Sequence, residues 1–226
     1  MMEQYYPILQ QCGIFNSISP RKYDEVLQCL NARTQSYPRG THIAELGQQN
    51  RIAGVLLAGT IEEFLYDENG NQITLHRIEP GQVFGAELAC TGSAESPVCL
   101  RTTSKCTVML LNFGVLLSPE TMTCPCRMQV TANLMQDFAQ QVLFFNTKVR
   151  ILAQKRLRDR LKIYLQTLTP NAEGVYTLPY NRTALADFLC VDRSALSREL
   201  CRMRDEGLLT FSGAKFKILD DGFLGH

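Results

Sequence analysis

The stretch from Pro125 to Leu152 constrains the chain most. Within it Met128, Thr131, Met135, Phe138, Val142, Phe145, Val149 and Leu152 follow one another at alternating steps of three and four residues. That is the 3.5-residue repeat of a helix packed along a partner helix. No Gly or Pro interrupts the stretch after Pro125, and Pro125 suits a first helical turn, where its missing N–H costs no intrahelical hydrogen bond. The spacing predicts one helix about 40 Å long, dimerising through Met128, Met135, Phe138, Val142, Phe145 and Val149. Leu134, Ala139 and Leu143 form a second apolar face, so the same helix can also pack on its own domain.

Before this helix the sequence is strand-like. Pro7 to Cys12 and Ser19-Pro20 through Leu30 read as short helices, the second with Ser19 as cap and Pro20 in the first turn. From Tyr37 onward, short β-type runs are punctuated by Gly40, Gly47, Gly54, Gly59, Gly70 and Gly81. Asp67-Glu68-Asn69-Gly70-Asn71 predicts a hairpin between Ile61–Tyr66 and Gln72–Arg77, and Arg101–Leu111 reads as a last strand. Many short strands at such spacing imply an antiparallel barrel or roll.

After the helix, the spacing predicts a second one over Leu152–Thr169, stopped by Pro170. It turns Leu157, Leu161, Tyr164, Leu165 and Leu168 inward and Lys155, Arg156, Arg158, Arg160 and Lys162 outward. Asn181 can cap a helix over Arg182–Leu189, and Asp192 can cap another after the turn Cys190-Val191. Val191 and Leu196 have the spacing of a hydrophobic staple, and Leu185, Leu189, Leu196 and Leu200 supply a shared core around the small Ala186. Leu208–Phe211 and Lys215–Leu219 then form a hairpin about Ser212-Gly213-Ala214. This is the pattern of a winged helix-turn-helix, whose second helix presents Arg193, Ser194, Ser197 and Arg198. Such side chains suit guanine edges and phosphates in a major groove. Charge agrees: residues 148–226 hold 14 Lys+Arg against 9 Asp+Glu, while the whole chain is only +1, so the C-terminal third is the part suited to a polyanion.

The order of Gly-punctuated roll, the segment Pro80-Gly81-Gln82-Val83-Phe84-Gly85-Ala86-Glu87-Leu88, long helix and helix-turn-helix resembles the Crp/Fnr family of bacterial transcription regulators. The resemblance spans nearly the whole chain. It implies an α+β chain: an effector-sensing, jelly-roll-like antiparallel β-roll over 1–122, a dimerisation helix and hinge over 123–150, and a winged helix-turn-helix over 151–226. It further implies a cytoplasmic homodimer on palindromic double-stranded DNA, with RNA polymerase as a further partner. By position, Arg193, Ser194, Ser197 and Arg198 match the family's base-contacting set and Arg182 a phosphate contact, with Asp192 at the helix cap beside them. Cys190 stands where the family has a Gly of positive φ, and Glu199 where an apolar residue is usual. Gly85, Ala86, Glu87, Leu88, Ser96 and Pro97 match the effector cassette, but Ser96-Pro97 replaces the Arg that meets a cyclic phosphate. A phosphate buried there would lack a counter-charge, so the expected effector is a small molecule other than cyclic AMP.

Composition closes off other classes. The chain has no run of 18 apolar residues and no basic, then apolar, leader at its N-terminus. Its nine cysteines are odd in number and scattered, which argues against a secreted disulfide framework. Cys90, Cys99, Cys106 and Cys201 read as core thiols, and His42 and His76 as partnered imidazoles on strands. Cys124 and Cys126 flank Pro125 at the start of the long helix, where a helix N-terminus can activate a thiol. A redox- or metal-sensing regulator is therefore the alternative, and a thiol enzyme a remote one, since it would need a cysteine, His and carboxylate converging and neither His42 nor His76 has an obvious cysteine partner in sequence. The expectation is a regulator with no enzymatic activity and no metal, whose one expected small molecule is the unidentified effector.

Overall fold

The computed structural model describes residues 2–49, 52–70, 72–91, 95–117 and 126–225, without the side chain of Asp221. It divides into two compact units, 1–142 and 143–226.

The N-terminal unit begins with the short helices α1 (Tyr6–Leu9) and α2 (Tyr23–Cys29). Ser19 makes no capping bond; a single 3-10 turn over Pro20–Lys22 precedes α2 instead. Among the described residues eight strands follow: β1 (Arg33–Tyr37), β2 (His42–Ala44), β3 (Gly54–Ala58), β4 (Ile61–Tyr66), β5 (Gln72–Ile78), β6 (Val83–Phe84), β7 (Cys99–Thr102) and β8 (Cys106–Leu110), with helix α3 (Ala86–Thr91) between β6 and β7. They pair as two antiparallel four-stranded sheets, in the orders β1-β8-β3-β6 and β2-β7-β4-β5. Ile43, Ile61, Ile78 and Leu100 of one sheet meet Leu56, Cys106 and Val108 of the other in a shared core. The outer face of the first sheet packs Val55, Leu57 and Met109 against Leu9, Val26 and Leu27 of the N-terminal helices. The β4–β5 hairpin is as expected, with Ile61 opposite Ile78 and Asp67 Oδ1 accepting from Asn69 N at 2.9 Å. The single strand expected over Arg101–Leu111 is two, β7 and β8. Between them Ser104 Oγ accepts from Thr60 N, so the chain turns at Thr103–Lys105.

Helix α4 (Arg127–Leu152) is the long helix, and Pro125 and Cys124 lie outside the described residues. Val130 and Leu134 of its N-terminal half, with Cys126 just before it, join the roll's outer core, and the buried Asn133 donates to Ile14 O and Asn16 O. Of the second apolar face only Leu134 is covered, since Leu143 and Ala139 are open. Beyond Val142 the same helix belongs to the C-terminal unit: Phe144 and Ile151 pack into its core, and Lys148 Nζ lies 4.4 Å from the centre of the Phe188 ring.

Within that unit α4 and the next helix are separate. The expected helix over Leu152–Thr169 is confined to α5 (Leu157–Gln166), because Arg156 is extended and breaks the run. Arg160 donates to Gln154 O at 2.8 Å and Leu189 O at 2.9 Å, and Arg158 bonds two carboxylates, so neither points out to solvent as the spacing suggested. Strand β9 (Val175–Thr177), helices α6 (Arg182–Phe188) and α7 (Arg193–Asp205), strands β10 (Leu209–Ser212) and β11 (Lys215–Ile218), and the terminal turn α8 (Asp221–Leu224) complete the unit. The wing is thus a three-stranded sheet in the order β10-β11-β9; β9, three residues long, carried no clear sequence signal.

Candidate nucleic-acid interface

A side-chain cap starts α6, and a backbone turn sets the angle at which α7 leaves it. Asn181 accepts from Ala184 N at 2.9 Å at the start of α6. At its end Cys190 N bonds Asp187 O and Val191 N bonds Ala186 O, the paired bonds of a Schellman cap. That cap requires a left-handed residue, and Cys190 has φ 53°, so the thiol residue does carry the strain expected of a non-Gly residue there. The end of α7 has the same pair of bonds with Gly207 at φ 74° in that role. Asp192 occupies the N-cap position of α7, but its side chain makes no capping bond, a correction to its expected role. Val191 and Leu196 pack in the same cluster, as the staple requires.

Leu196, Leu200 and Met203 bury one face of α7. Arg193, Ser194 and Arg198 are exposed on the other side and Ser197 is half-exposed. None of the four side chains makes a hydrogen bond or ion pair with any described residue, so four donors stand open on about one and a half turns of helix. Cys201, expected in the core, is also exposed, one turn after Ser197. Glu199 is the polar group on the covered side. Its side chain is 14% exposed and accepts from Arg158 Nε at 2.8 Å and Arg202 Nη1 at 3.1 Å. Arg158 also forms a two-bond pair with Glu206 at 2.6 and 2.9 Å. These carboxylates raise its pKa further, Glu206 most, and fasten α5 to both ends of the second half of α7. Arg182 is half-buried over the wing's aromatic rings. Lys215 and Lys217 are exposed on β11 either side of the buried Phe216, cations that the sequence reading left out although their period-two spacing marks them.

The cassette in the N-terminal unit is arranged differently. Gly85 has φ 68°, and a Cβ there would stand 2.3 Å from Ile52 O, so glycine is required by the protein's own backbone. Ala86 and Leu88 are core residues. Ser96 is buried and its Oγ donates to Val98 O at 2.7 Å, while Pro97 is exposed. Glu87 is half-buried: burial raises its pKa, its own backbone N–H opposes this, and Asp137 on α4 adds repulsion. Burial raises Asp137 too, against a bond from Gln141. Two carboxyls therefore share this corner without a cation from the described residues acting on Glu87. Nearby Cys12 is fully buried, and its thiol is pushed up to about 12 by that burial, the setting of an inert thiol. Cys126 is buried in the same core. His42 is paired with Glu45 at 3.1 Å.

The N-terminal unit is an antiparallel roll and the C-terminal unit a winged helix-turn-helix. Residues 34–118 match the model of the cyclic nucleotide-binding domain and residues 156–224 that of the Crp-like helix-turn-helix domain. The chain belongs to the Crp/Fnr family of transcription regulators. Among solved structures it is similar to the c-di-GMP-responsive global regulator CLP of Xanthomonas campestris, at 18% identity and a TM-score of 0.70 over 89% of this chain and 100% of that one. It is similar also to FixK2 of Bradyrhizobium japonicum, at 19% identity and a TM-score of 0.64 over 85% and 95%. A Crp/Fnr-family regulator of Thermus thermophilus aligns at 24% identity and a TM-score of 0.54 over 85% and 96%. No curated protein sequence matches the chain. No described helix is long and apolar enough to cross a membrane.

Proposed function

We propose that the chain works as a homodimer that reads a palindromic DNA site with α7, under the control of a small-molecule effector other than cyclic AMP. The open face of Arg193, Ser194, Ser197 and Arg198 carries this reading. Among the described residues the buried side-chain polar atoms find partners within the protein, Tyr164 Oη excepted, while two arginines and two serines gathered on one open helix face are suited to an external polyanion with base-edge acceptors.

Dimerisation is supported by α4. Met128, Met135, Val142 and Val149 recur every seven residues and are 87%, 67%, 58% and 66% exposed, a continuous apolar line of one heptad position. The companion position, Thr131, Phe138, Phe145 and Leu152, is half-covered. Phe138 packs on the roll's outer core and Phe145 edge-on against Phe144 at 5.3 Å. A second copy of α4 laid along this line would remove it from water and hold two α7 helices about 34 Å apart, one DNA turn. An effector that shifted this spacing would change affinity for DNA. The cassette supports the exclusion of cyclic AMP: its described residues offer the Glu87 carboxyl, with Asp137 of α4 acting on it, and an internally bonded Ser96 where a phosphate needs a cation. RNA polymerase is the partner through which such a DNA-bound dimer would act.

The test is the double change Met135→Asp and Val142→Asp, both at exposed positions of the free chain. Sedimentation should show the mass halved and DNA binding lost, because carboxylates sealed between two helices cost several kcal/mol. A dimer that survives both charges would remove α4 from the interface.

A further inference from the structure

One side chain of the helix-turn-helix reaches both the aromatic rings and the turn of the wing. The guanidinium carbon of Arg182, first residue of α6, lies 4.9 Å from the ring centre of Phe211 and 5.3 Å from that of Phe216. These rings stack on each other at 5.6 Å and 29°. Arg182 Nη2 also donates to Gly213 O, 3.4 Å away, in the turn of the wing. Burial is the main influence on this guanidinium, lowering its pKa. From the other side Arg204 of α7 approaches Phe211 at 5.9 Å, so the half-exposed ring of β10 takes one cation from each helix of the motif. Phe216 is core, but the turn beyond it, Ser212 and Gly213 with Lys215, is exposed. Its side-chain tie among the described residues is Arg182.

Resting on the DNA-binding reading above, we propose that Arg182 is a positioning residue, which sets the wing against α7, and not the phosphate contact its place in the sequence suggested. The chemistry suits arginine alone. A guanidinium stacks its flat face on aromatic rings while its edge donates to a carbonyl; an ammonium on a flexible stem holds the charge but not that double contact. The start of α6 is in turn fixed by the Asn181 cap, so the tie ends on a rigid element.

The experiment compares the full chain with Arg182→Lys, Arg182→Ala, Phe211→Leu and the double Arg182→Ala/Phe211→Leu, with thermal unfolding to establish that each is folded. Affinity for a duplex selected by the wild-type chain is measured at several salt concentrations. A positioning role predicts that Arg182→Lys and Phe211→Leu each weaken binding about 3- to 30-fold, the range of such a contact, and that the double change is no worse than the poorer single one. Phe211→Leu leaves every charge in place, so its effect cannot come from a lost phosphate contact. If Arg182 serves only a phosphate, Arg182→Lys and Phe211→Leu bind like the wild type, Arg182→Ala alone lowers the salt slope by about one per subunit, and the proposal is overturned. The backbone amide of Gly213 reads the tie in the free chain: it must shift in both Arg182→Lys and Phe211→Leu, and an unmoved signal also overturns the proposal. Should the wild-type chain select no duplex at all, the DNA-binding reading fails, while the Gly213 signal still decides whether Arg182 holds the wing.

Discussion

The segment from Gly85 to Pro97 and the exposed face of α7, the two regions that the sequence resemblance matched to ligand contacts, treat their polar groups in opposite ways. In the cassette Gly85 is fitted to Ile52 O, Ser96 Oγ is spent on Val98 O, and Glu87 is pressed towards the neutral form by burial and Asp137. On α7, Arg193, Ser194, Ser197 and Arg198 bond to no described residue. The difference separates residues kept for the fold from residues held open for something else. A glycine or serine at a family position is explained by the protein's own backbone when that backbone already meets it. An arginine without a partner is not.

Changes in the cassette should therefore act on stability. The largest effect belongs to Gly85→Ala. A left-handed backbone carrying a Cβ, with a carbonyl oxygen in the way, should destabilise the N-terminal unit by about 2 to 4 kcal/mol, read as a lowered midpoint of unfolding in urea. An unchanged midpoint would show that the cassette can relax, and that its glycine is free to serve a ligand.

The strained turn between α6 and α7 gives the next largest effect. Cys190→Gly relieves a left-handed non-Gly residue without touching the open face, and should stabilise the C-terminal unit by about 1 kcal/mol with base preference intact. A loss of DNA affinity would mean instead that the exposed thiol side chain takes part in the interface.

Glu87→Gln gives the smallest effect and sharpens the contrast through its sign. A carboxyl whose pKa is raised on folding favours the folded state when protonated, and that contribution is lost as pH rises through the raised value. The glutamine variant should therefore be the more stable at pH 7, with the gap closing as pH falls below the ordinary carboxylate range near about 4.3. A variant less stable than the wild type at pH 7 would reveal a cationic partner for Glu87 and return the cassette to the class of anion sites.

Features set by neighbouring residues were legible in the sequence. The Asp67–Asn71 hairpin, the Asn181 cap, the Val191–Leu196 staple and the heptad of α4 each depend on spacings of a few residues, and the family order gave the two-domain plan. The strain at Cys190 was legible through the family resemblance, which puts a Gly of positive φ at that position, and the structure gives Cys190 φ 53°. What stayed hidden depends on contacts far apart in the chain. Glu199 looked like a misfit at an apolar position because its partner Arg158 lies 41 residues earlier. Arg182 looked like a free cation because the rings beneath it come from β10 and β11. Arg160 looked solvated, although the carbonyls it satisfies, Gln154 O and Leu189 O, become available only where α4 breaks and α6 ends. Cys201 is a different case: it lies one turn after Ser197 on the side of α7 away from Leu196 and Leu200, so its exposure follows from the helical spacing, and reading it as a core thiol went against that spacing.

The most direct test is selection of duplexes from a random pool by the full chain and by Arg198→Ala. The account predicts that the wild type enriches an inverted repeat with half-sites about 10 base pairs apart, centre to centre. Arg198→Ala should bind that site about 1 to 3 kcal/mol more weakly and relax its preference at one base pair in each half. An Arg198→Ala pool with the same base preference as the wild type would contradict the account, because the open face of α7 would then not be what reads the DNA.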